Sequence, residues 1–561
     1  MRLELVILVL VSFFLIGSSA LRCQLETSKY WVFLTDKDGV KFDPYSYFDE
    51  KAIERREKLG IDLYDQTDFP VKQLYIDQVL NEGVEVLSES RWFNVLTVIA
   101  SVSQIKEVEK LSCVSEIQSF SHSSLQLAEV QMDTHSTTSG VDSLQIKLIH
   151  AQTDRMGRRD FARNGIDGKN VRVAIFDAGF TDANVNGCFK HIYKDNRVID
   201  TYDFVKNEKD VYHGSHHGTA VWSCIAGITT ESEFGSVDTL GLATGAEFLL
   251  ARTERALIEV YSEEENWLAA VEWADKNGAD VINSSLGYTG HRYTFEQMDG
   301  TGTLVSRAGN LAAKKGILVV NSAGNDGSNH WNFVGAPADA DSVLAVGGLM
   351  PWTGLHTNFS SVGPTYDYRL KPNVTAYGHV IGARREFISE TQGTSFSSPL
   401  MAGFAACAWQ ANPGWNNMEL FHELEKGADL YPYFDYAHGY GVPMAVNFIR
   451  EATKEEVFKN HILEETGGLI KVNVLTDTNY EEIDGISEKE MALGIFKIDC
   501  KLDYRDHLFY HFEDAKGNLL AYYVVNMEGE KIVYTKPIPK EAVTFRSYFG
   551  GYAQELKLRD Q

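Results

Sequence analysis

The chain has 561 residues, 44% hydrophobic and 23% charged, which supplies enough apolar surface for several buried cores and argues against disorder. Lys and Arg number 52 and Asp and Glu 78, a net charge of −26 that repels nucleic-acid phosphates and anionic lipid, so no nucleic-acid partner is expected. The six cysteines are few and scattered, with no CxxC pair, which argues against a disulfide scaffold and against structural zinc.

Arg2 is followed by an apolar run from Leu5 to Ile16 and then by Gly17-Ser18-Ser19-Ala20, the pattern of a secretory signal peptide over residues 1–20. A helix over that run covers about 18 Å, short of a hydrocarbon core of about 30 Å. No stable membrane span is expected, and the product is read as secreted or extracytoplasmic. Arg22 stands where bacterial lipoprotein signals carry a small residue, which argues against a lipid anchor on Cys23.

Residues 21–140 read as a small α+β domain followed by a linker. Tyr30–Leu34 and Trp92–Ala100 are rich in strand formers, and the helical pattern from Ser101 to Val114 opens on a capping box of Ser101 and Gln104. The stretch from Ser121 to Gln145 is polar and linker-like. Residues 141–452 alternate strand and helix signals, which predicts an α/β domain with a largely parallel sheet and helices on both faces. Its buried strands fall at Val171–Phe176, Asp280–Asn283, Gly316–Val320 and Ser342–Val346, with a helix opening at Ser262 and closing at Gly278. Residues 453–561 show short alternating runs around glycine turns and read as a β-rich accessory domain, a sandwich.

Three segments of the α/β domain place a reactive group between an apolar strand and a helix or loop: Asp177-Ala178-Gly179, His216-His217-Gly218-Thr219-Ala220 and Gly393-Thr394-Ser395-Phe396-Ser397-Ser398-Pro399. Taken singly, a strand-ending Asp is a turn former, a His before Gly is a packed residue, and a Ser at a helix start is a cap. Taken together they follow the order acid, imidazole, hydroxyl on a fold whose strand ends converge. A serine hydroxyl becomes nucleophilic when an imidazole takes its proton and a carboxylate orients that imidazole. A fourth segment, Ser322-Ala323-Gly324-Asn325-Asp326-Gly327, adds a side-chain amide after another strand.

In these four motifs the chain resembles the subtilisin-like serine proteases, the subtilases. Ser284-Ser285-Leu286-Gly287, Gly335-Ala336-Pro337-Ala338-Asp339 and Phe359-Ser360-Ser361-Val362-Gly363-Pro364 extend the likeness, which covers residues 145–450. The resemblance implies a secreted endopeptidase acting on protein or peptide substrates. In it Ser395 is the nucleophile, His217 the base, Asp177 the orienting acid and Asn325 the oxyanion donor beside the Ser395 N–H. Ser285, Leu286 and Gly287 would bind extended substrate backbone. It also implies that the unit at 28–120 is a propeptide acting as an intramolecular inhibitor, with self-cleavage between 121 and 145. Ala178 stands where the family carries Ser or Thr, and Asn373 where it carries Asp; neither change removes a proton-transfer group.

No cofactor is required for this chemistry, and structural calcium, common in the family, has no locatable site in the sequence. His213, His216 and His217 lack carboxylate or cysteine partners at a recognised metal spacing, so His213 and His216 read as surface residues. Glu263, Glu264 and Glu265 read as a solvated helix start, and Cys224 and Cys407 as buried helix thiols. An α/β-hydrolase reading fails because Gly393-Thr394-Ser395-Phe396-Ser397 lacks the second glycine of its elbow. An inactive binding module is disfavoured by the presence of all four chemical residues.

Overall fold

The computed structural model describes residues 27–120, 126–127, 143–230, 237–255, 258–259, 262–290, 292–385, 387–449, 459–475, 506–527 and 530–558. The expected signal peptide, Cys23 and most of the expected linker lie outside these residues. None of the described helices is long and apolar enough to cross a membrane. The chain forms two compact units, one of residues 1–47 and 62–124, the other of residues 48–61 and 125–561.

In the first unit Thr27–Leu34 (β1), Glu85–Ser90 (β2), Val95–Ser101 (β3) and Val114–Ser119 (β4) form an antiparallel sheet of order β2-β3-β1-β4. Val32, Leu34, Leu96 and Val98 bury one face of that sheet with Val79, Ile105 and Val108, which come from the helices Gln73–Asn81 and Val102–Val108. The second helix opens on the expected capping box: Gln104 N–H donates to Ser101 Oγ at 3.3 Å and Ser101 N–H to Gln104 Oε1 at 2.9 Å, which pairs two otherwise orphaned groups.

The second unit begins with a ten-residue helix, Glu50–Leu59 (α1), and a short strand, Gln126–Leu127 (β5). Its main sheet is built from Arg172–Asp177 (β6), Val198–Asp203 (β7), Glu247–Arg252 (β8), Val281–Ser284 (β10), Leu318–Ser322 (β11), Val343–Leu349 (β12) and Val374–Tyr377 (β13), while Ile258–Glu259 (β9) pairs with β5. Among the described residues the main sheet has seven strands in the order β13-β12-β11-β10-β6-β8-β7, all parallel. Every residue of β6 is buried, as a strand covered on both faces requires.

The pleat sends alternate side chains to opposite faces. Val173 and Ile175 pack with Trp222 and Ile225 of His217–Ala226 (α2) and with Met401 and Ala405 of Thr394–Ala411. On the other face Phe176 meets Trp267 of Ser262–Lys276 (α3) edge-on, with ring centroids 5.8 Å apart; Leu304–Lys314 (α4) is the next helix along the chain. We call Thr394–Ala411 α5. The α/β architecture expected from the sequence is thus found, and its topology switches direction beside β6, where ligands bind in open parallel sheets.

Past residue 459 the strands His461–Thr466, Leu469–Val474 and Ile532–Tyr534 form one antiparallel sheet, and Leu519–Asn526, His507–Glu513, Thr544–Phe549 and Tyr552–Lys557 another. Ile470 and Val472 from the first sheet share a core with Leu508, Phe512 and Phe545 from the second, so the C-terminal region is β-rich as expected. Tyr548 secures it to the α/β domain by donating its hydroxyl to the carbonyl of Asp429 at 2.5 Å.

Candidate active site

Asp177 is the last residue of β6 and is fully buried. His217 is the first residue of α2, and its Nδ1 lies 2.9 Å from Asp177 Oδ1 and 3.0 Å from Oδ2. The next residue has to be small for this meeting to occur: a Cβ on Gly218 would stand 2.3 Å from the carbonyl oxygen of Gly179 and 3.0 Å from Cβ of Asp177. The carboxylate therefore fixes the ring tautomer with Nδ1 protonated, which leaves Nε2 as the basic nitrogen.

Ser395 stands in the first turn of α5. The turn into that helix needs φ = +137° at Gly393, a backbone conformation open to glycine. Pro399, inside the same helix, has no N–H to give the carbonyl four residues earlier. That carbonyl belongs to Ser395, and it accepts the Ser285 hydroxyl at 2.8 Å instead. Asn283 and Ser398 continue the connection: Ser398 Oγ donates to Asn283 Oδ1 at 2.8 Å and Asn283 Nδ2 to Ser285 Oγ at 3.1 Å. The start of α5 is thereby fastened to the carboxyl end of β10. The ring of Phe396 lies 5.3 Å from the imidazole of His217, and the hydroxyl of Ser395 is directed at the Ser285 carbonyl at 3.4 Å, too long for a strong O–H···O bond.

Asn325 follows β11, and its Oδ1 accepts both the N–H and the hydroxyl of Thr394, at 2.9 and 3.0 Å. With the amide oxygen turned to Thr394, the side chain offers its Nδ2 hydrogens as donors. They join the N-terminus of an eighteen-residue helix, whose unpaired N–H groups and dipole favour negative charge. Acid, imidazole, hydroxyl and amide donor thus collect at the carboxyl edge of the sheet, an arrangement equipped for acyl transfer.

The three residues expected to bind substrate backbone continue from β10. Ser285 is buried, Leu286 is half-buried with its carbonyl held by Asn321 Nδ2 at 2.9 Å, and Gly287 is exposed. A Cβ on Gly287 would find its nearest neighbour only at 4.0 Å, so the backbone here is open on one side. Tyr288 then exchanges both backbone hydrogen bonds with Ala336, at 2.8 and 3.0 Å.

Beneath this edge lies a buried polar cluster that the sequence did not announce. Arg292 Nη2 pairs with Glu263 Oε2 at 2.7 Å and Nη1 with Glu264 Oε1 at 3.2 Å, with all three side chains at most 1% exposed. This corrects the expectation of a solvated helix start: Glu263 and Glu264 turn inward because a guanidinium 28 or 29 residues away neutralises them. Glu254 joins them; burial, then the charge of Glu263, pushes its carboxyl well above the usual range. An apolar-poor EEE run beside a tryptophan gives no pattern that distinguishes this arrangement from a surface one.

His213 and His216 are likewise half-buried instead of on the surface. His213 Nε2 lies 3.2 Å from Glu208 and 3.4 Å from Asp203, and these three could in principle hold a metal ion. Their surroundings do not suit calcium: Arg252 already donates to Asp203 at 2.8 Å and Lys206 stands 3.5 Å from Glu208, so two cations occupy the acids, and a ring nitrogen is a poor calcium ligand. Cys224 and Cys407 are buried free thiols, as expected.

Residues 168–441 match the Subtilase family, and residues 29–138 match the Peptidase S8 propeptide domain of Bacteroidota. Among characterised proteins the chain is similar to Subtilisin NAT from Bacillus subtilis subsp. natto, 28% identical over 356 residues that span 63% of this chain and 80% of that protein. It is also similar to the Alkaline protease of Alkalihalobacillus alcalophilus, 27% identical over 348 residues, 62% of this chain and 77% of that one. A Thermophilic serine proteinase from Bacillus sp. (strain AK1) is 34% identical over 258 residues, 46% of this chain and 56% of its own. The chain belongs to the subtilase family of serine endopeptidases and carries that family's propeptide domain ahead of its peptidase domain.

Proposed function

We propose that the protein is exported as a precursor and hydrolyses peptide bonds through Ser395. The Ser395 hydroxyl attacks the scissile carbonyl while Nε2 of His217 takes its proton, and Asp177 holds the imidazole through Nδ1 and stabilises the imidazolium. The Ser395 N–H and Asn325 Nδ2 receive the negative charge of the tetrahedral intermediate. His217 returns the proton to the leaving amine as the C–N bond breaks, and a water deprotonated by the same nitrogen then releases the acyl group. Ser285, Leu286 and Gly287 present backbone to an extended substrate.

The observation that carries this reading is the pairing of Asp177 with His217 at 2.9 Å across 40 residues of sequence, at the same sheet edge as Ser395 and Asn325. The antiparallel pairing of β5 with β9, Gln126 opposite Glu259 and Leu127 opposite Ile258, supports a further part of it. An extended segment added to an open edge is how peptides dock by β-augmentation, which suits a propeptide tail held as a substrate mimic before a cut in the stretch 121–145.

The test is mass spectrometry of secreted wild-type and Ser395→Ala proteins, with a peptide library digested by each. Wild-type protein should begin within 121–145 and cut the library; Ser395→Ala should lack residues 1–20 alone and cut nothing. Identical amino termini would contradict self-processing, and an intact library would contradict peptidase activity.

A further inference from the structure

Helix α1 falls inside the propeptide match at 29–138, yet it packs as part of the same compact unit as residues 125–561. We infer that α1 is a second docking element, which grips the peptidase domain at the edge of the sheet opposite the active site and keeps the propeptide bound after the chain is cut. This inference rests on the self-processing reading above.

The grip is built on one buried carboxylate. Arg56 donates Nη1 to Asp275 Oδ1 at 3.1 Å and Nη2 to Oδ2 at 2.6 Å, a bidentate fork, and Arg55 adds a contact to the same Oδ1. Arg56 and Asp275 are 0% and 1% exposed. Arg55 also donates Nε to the carbonyl of Lys315 at 3.1 Å, and the Asp49 carboxylate that caps α1 accepts from Arg172 at 2.9 Å. Charge-assisted forks of this kind are strong and directional, and removing one partner of a buried pair leaves the other uncompensated. The packing is equally close: a Cβ on Gly316, where φ is +88°, would stand 2.4 Å from Leu59 Cδ1.

The location is set by strand polarity. Arg172 opens β6, Lys315 and Gly316 precede β11, and Asp275 lies in the last turn of α3, which leads into β10. All are at the amino edge of the parallel sheet, whereas Asp177 ends β6 and Ser285 and Asn325 follow the carboxyl ends of β10 and β11. A strand of six residues separates the two edges by about 20 Å. α1 therefore does not plug the cleft; β5 is the segment that pairs beside it. One chain attached at two remote points binds with avidity that can exceed either contact by about 10²–10⁴-fold. A ten-residue helix is marginal alone in water, so α1 owes its order to this docking.

The test uses the full chain. Arg55 and Arg56 lie upstream of the cut, so R55Q/R56Q and wild type yield the same mature chain, and any difference reports on the propeptide. Purified precursors are followed by denaturing gel for cleavage, by size-exclusion chromatography for retained propeptide, and by hydrolysis of a small peptide substrate. Wild type should be cut yet hold its propeptide and hydrolyse slowly. R55Q/R56Q should be cut, release the propeptide at least tenfold faster, and reach the same final rate. Should the double variant not be cut, Leu59→Ala decides, with release about threefold faster expected. Release indistinguishable from wild type in the variants that are cut would overturn the inference. Absence of cleavage in wild type would count against the self-processing reading instead.

Discussion

Tyr288 donates its hydroxyl hydrogen to Oε1 of Glu254 at 2.9 Å, and both side chains are buried. The bond joins the segment that continues from Gly287 to the segment between β8 and β9. Burial, and then the Glu263 charge, pushes the Glu254 carboxyl well above the usual carboxylate range.

Glu254→Gln keeps a side-chain oxygen of the same shape as acceptor for Tyr288 and should leave KM for peptide substrates within about twofold of wild type. Glu254→Ala leaves a buried hydroxyl without its acceptor, a loss of about 1–3 kcal/mol, and should raise KM several-fold with kcat little changed. Steady-state kinetics on a peptide anilide separate the two variants.

Lys371 provides a pH test. Burial, then the Arg369 charge, lowers its pKa to about 7, while its ammonium donates to the carbonyls of Ala340 and Val343 at 2.8 and 2.5 Å. Between pH 7 and its ordinary value of 10.5 the unfolded chain holds a proton that the folded one has released, so this group makes stability rise with pH, by up to about 1.4 kcal/mol per unit. Below pH 7 both states are protonated and the contribution is flat. In a Ser395→Ala background that prevents autolysis, Lys371→Met should remove this slope from Tm measured across pH 7–10, whatever constant offset the lost hydrogen bonds add.

Asp339 acts in the opposite sense over a lower range. Burial raises its carboxyl to about 6, against the donors Gly300 N–H at 2.7 Å and Ser306 Oγ. The folded state therefore binds the extra proton from about pH 4 to 6, and its contribution to stability, full below the unfolded value of 3.8, declines as pH rises through 6. Asp339→Asn should flatten that decline in thermal melts between pH 4 and 6.

How far the sequence reaches is clear from particular residues. Four motifs placed Asp177, His217, Asn325 and Ser395 at strand or helix ends, because buried parallel strands read as continuous apolar runs and their borders are sharp. Local signals such as the Ser101–Gln104 capping box were legible for the same reason: both partners lie within one helical turn. What escaped were partnerships over long separations. Glu263 and Glu264 look like a solvated acidic turn until Arg292 is folded against them, and α1 carries no mark in its own sequence that Asp275 will receive both of its arginines.

Asn325 offers a quantitative check on the proposed oxyanion site. Its Oδ1 is bound by Thr394, so Asn325→Ala removes both a donor and that support. Loss of such a donor costs about 10²–10³ in kcat, with KM changed little, and the thermal melt should show whether the Thr394 contact adds a structural cost of about 1 kcal/mol.

The claim on which the account turns is that Ser395 is a nucleophile activated by His217, and fluorophosphonate labelling of the processed protein, read by peptide mass spectrometry, tests it most directly. The expected result is one adduct, on the peptide containing Ser395, lost in His217→Ala and slowed by about 10⁴ in Asp177→Asn, with the propeptide of both variants cut in trans because they cannot process themselves. A folded, processed protein that gives no adduct on Ser395, or one that labels equally without His217, would contradict it.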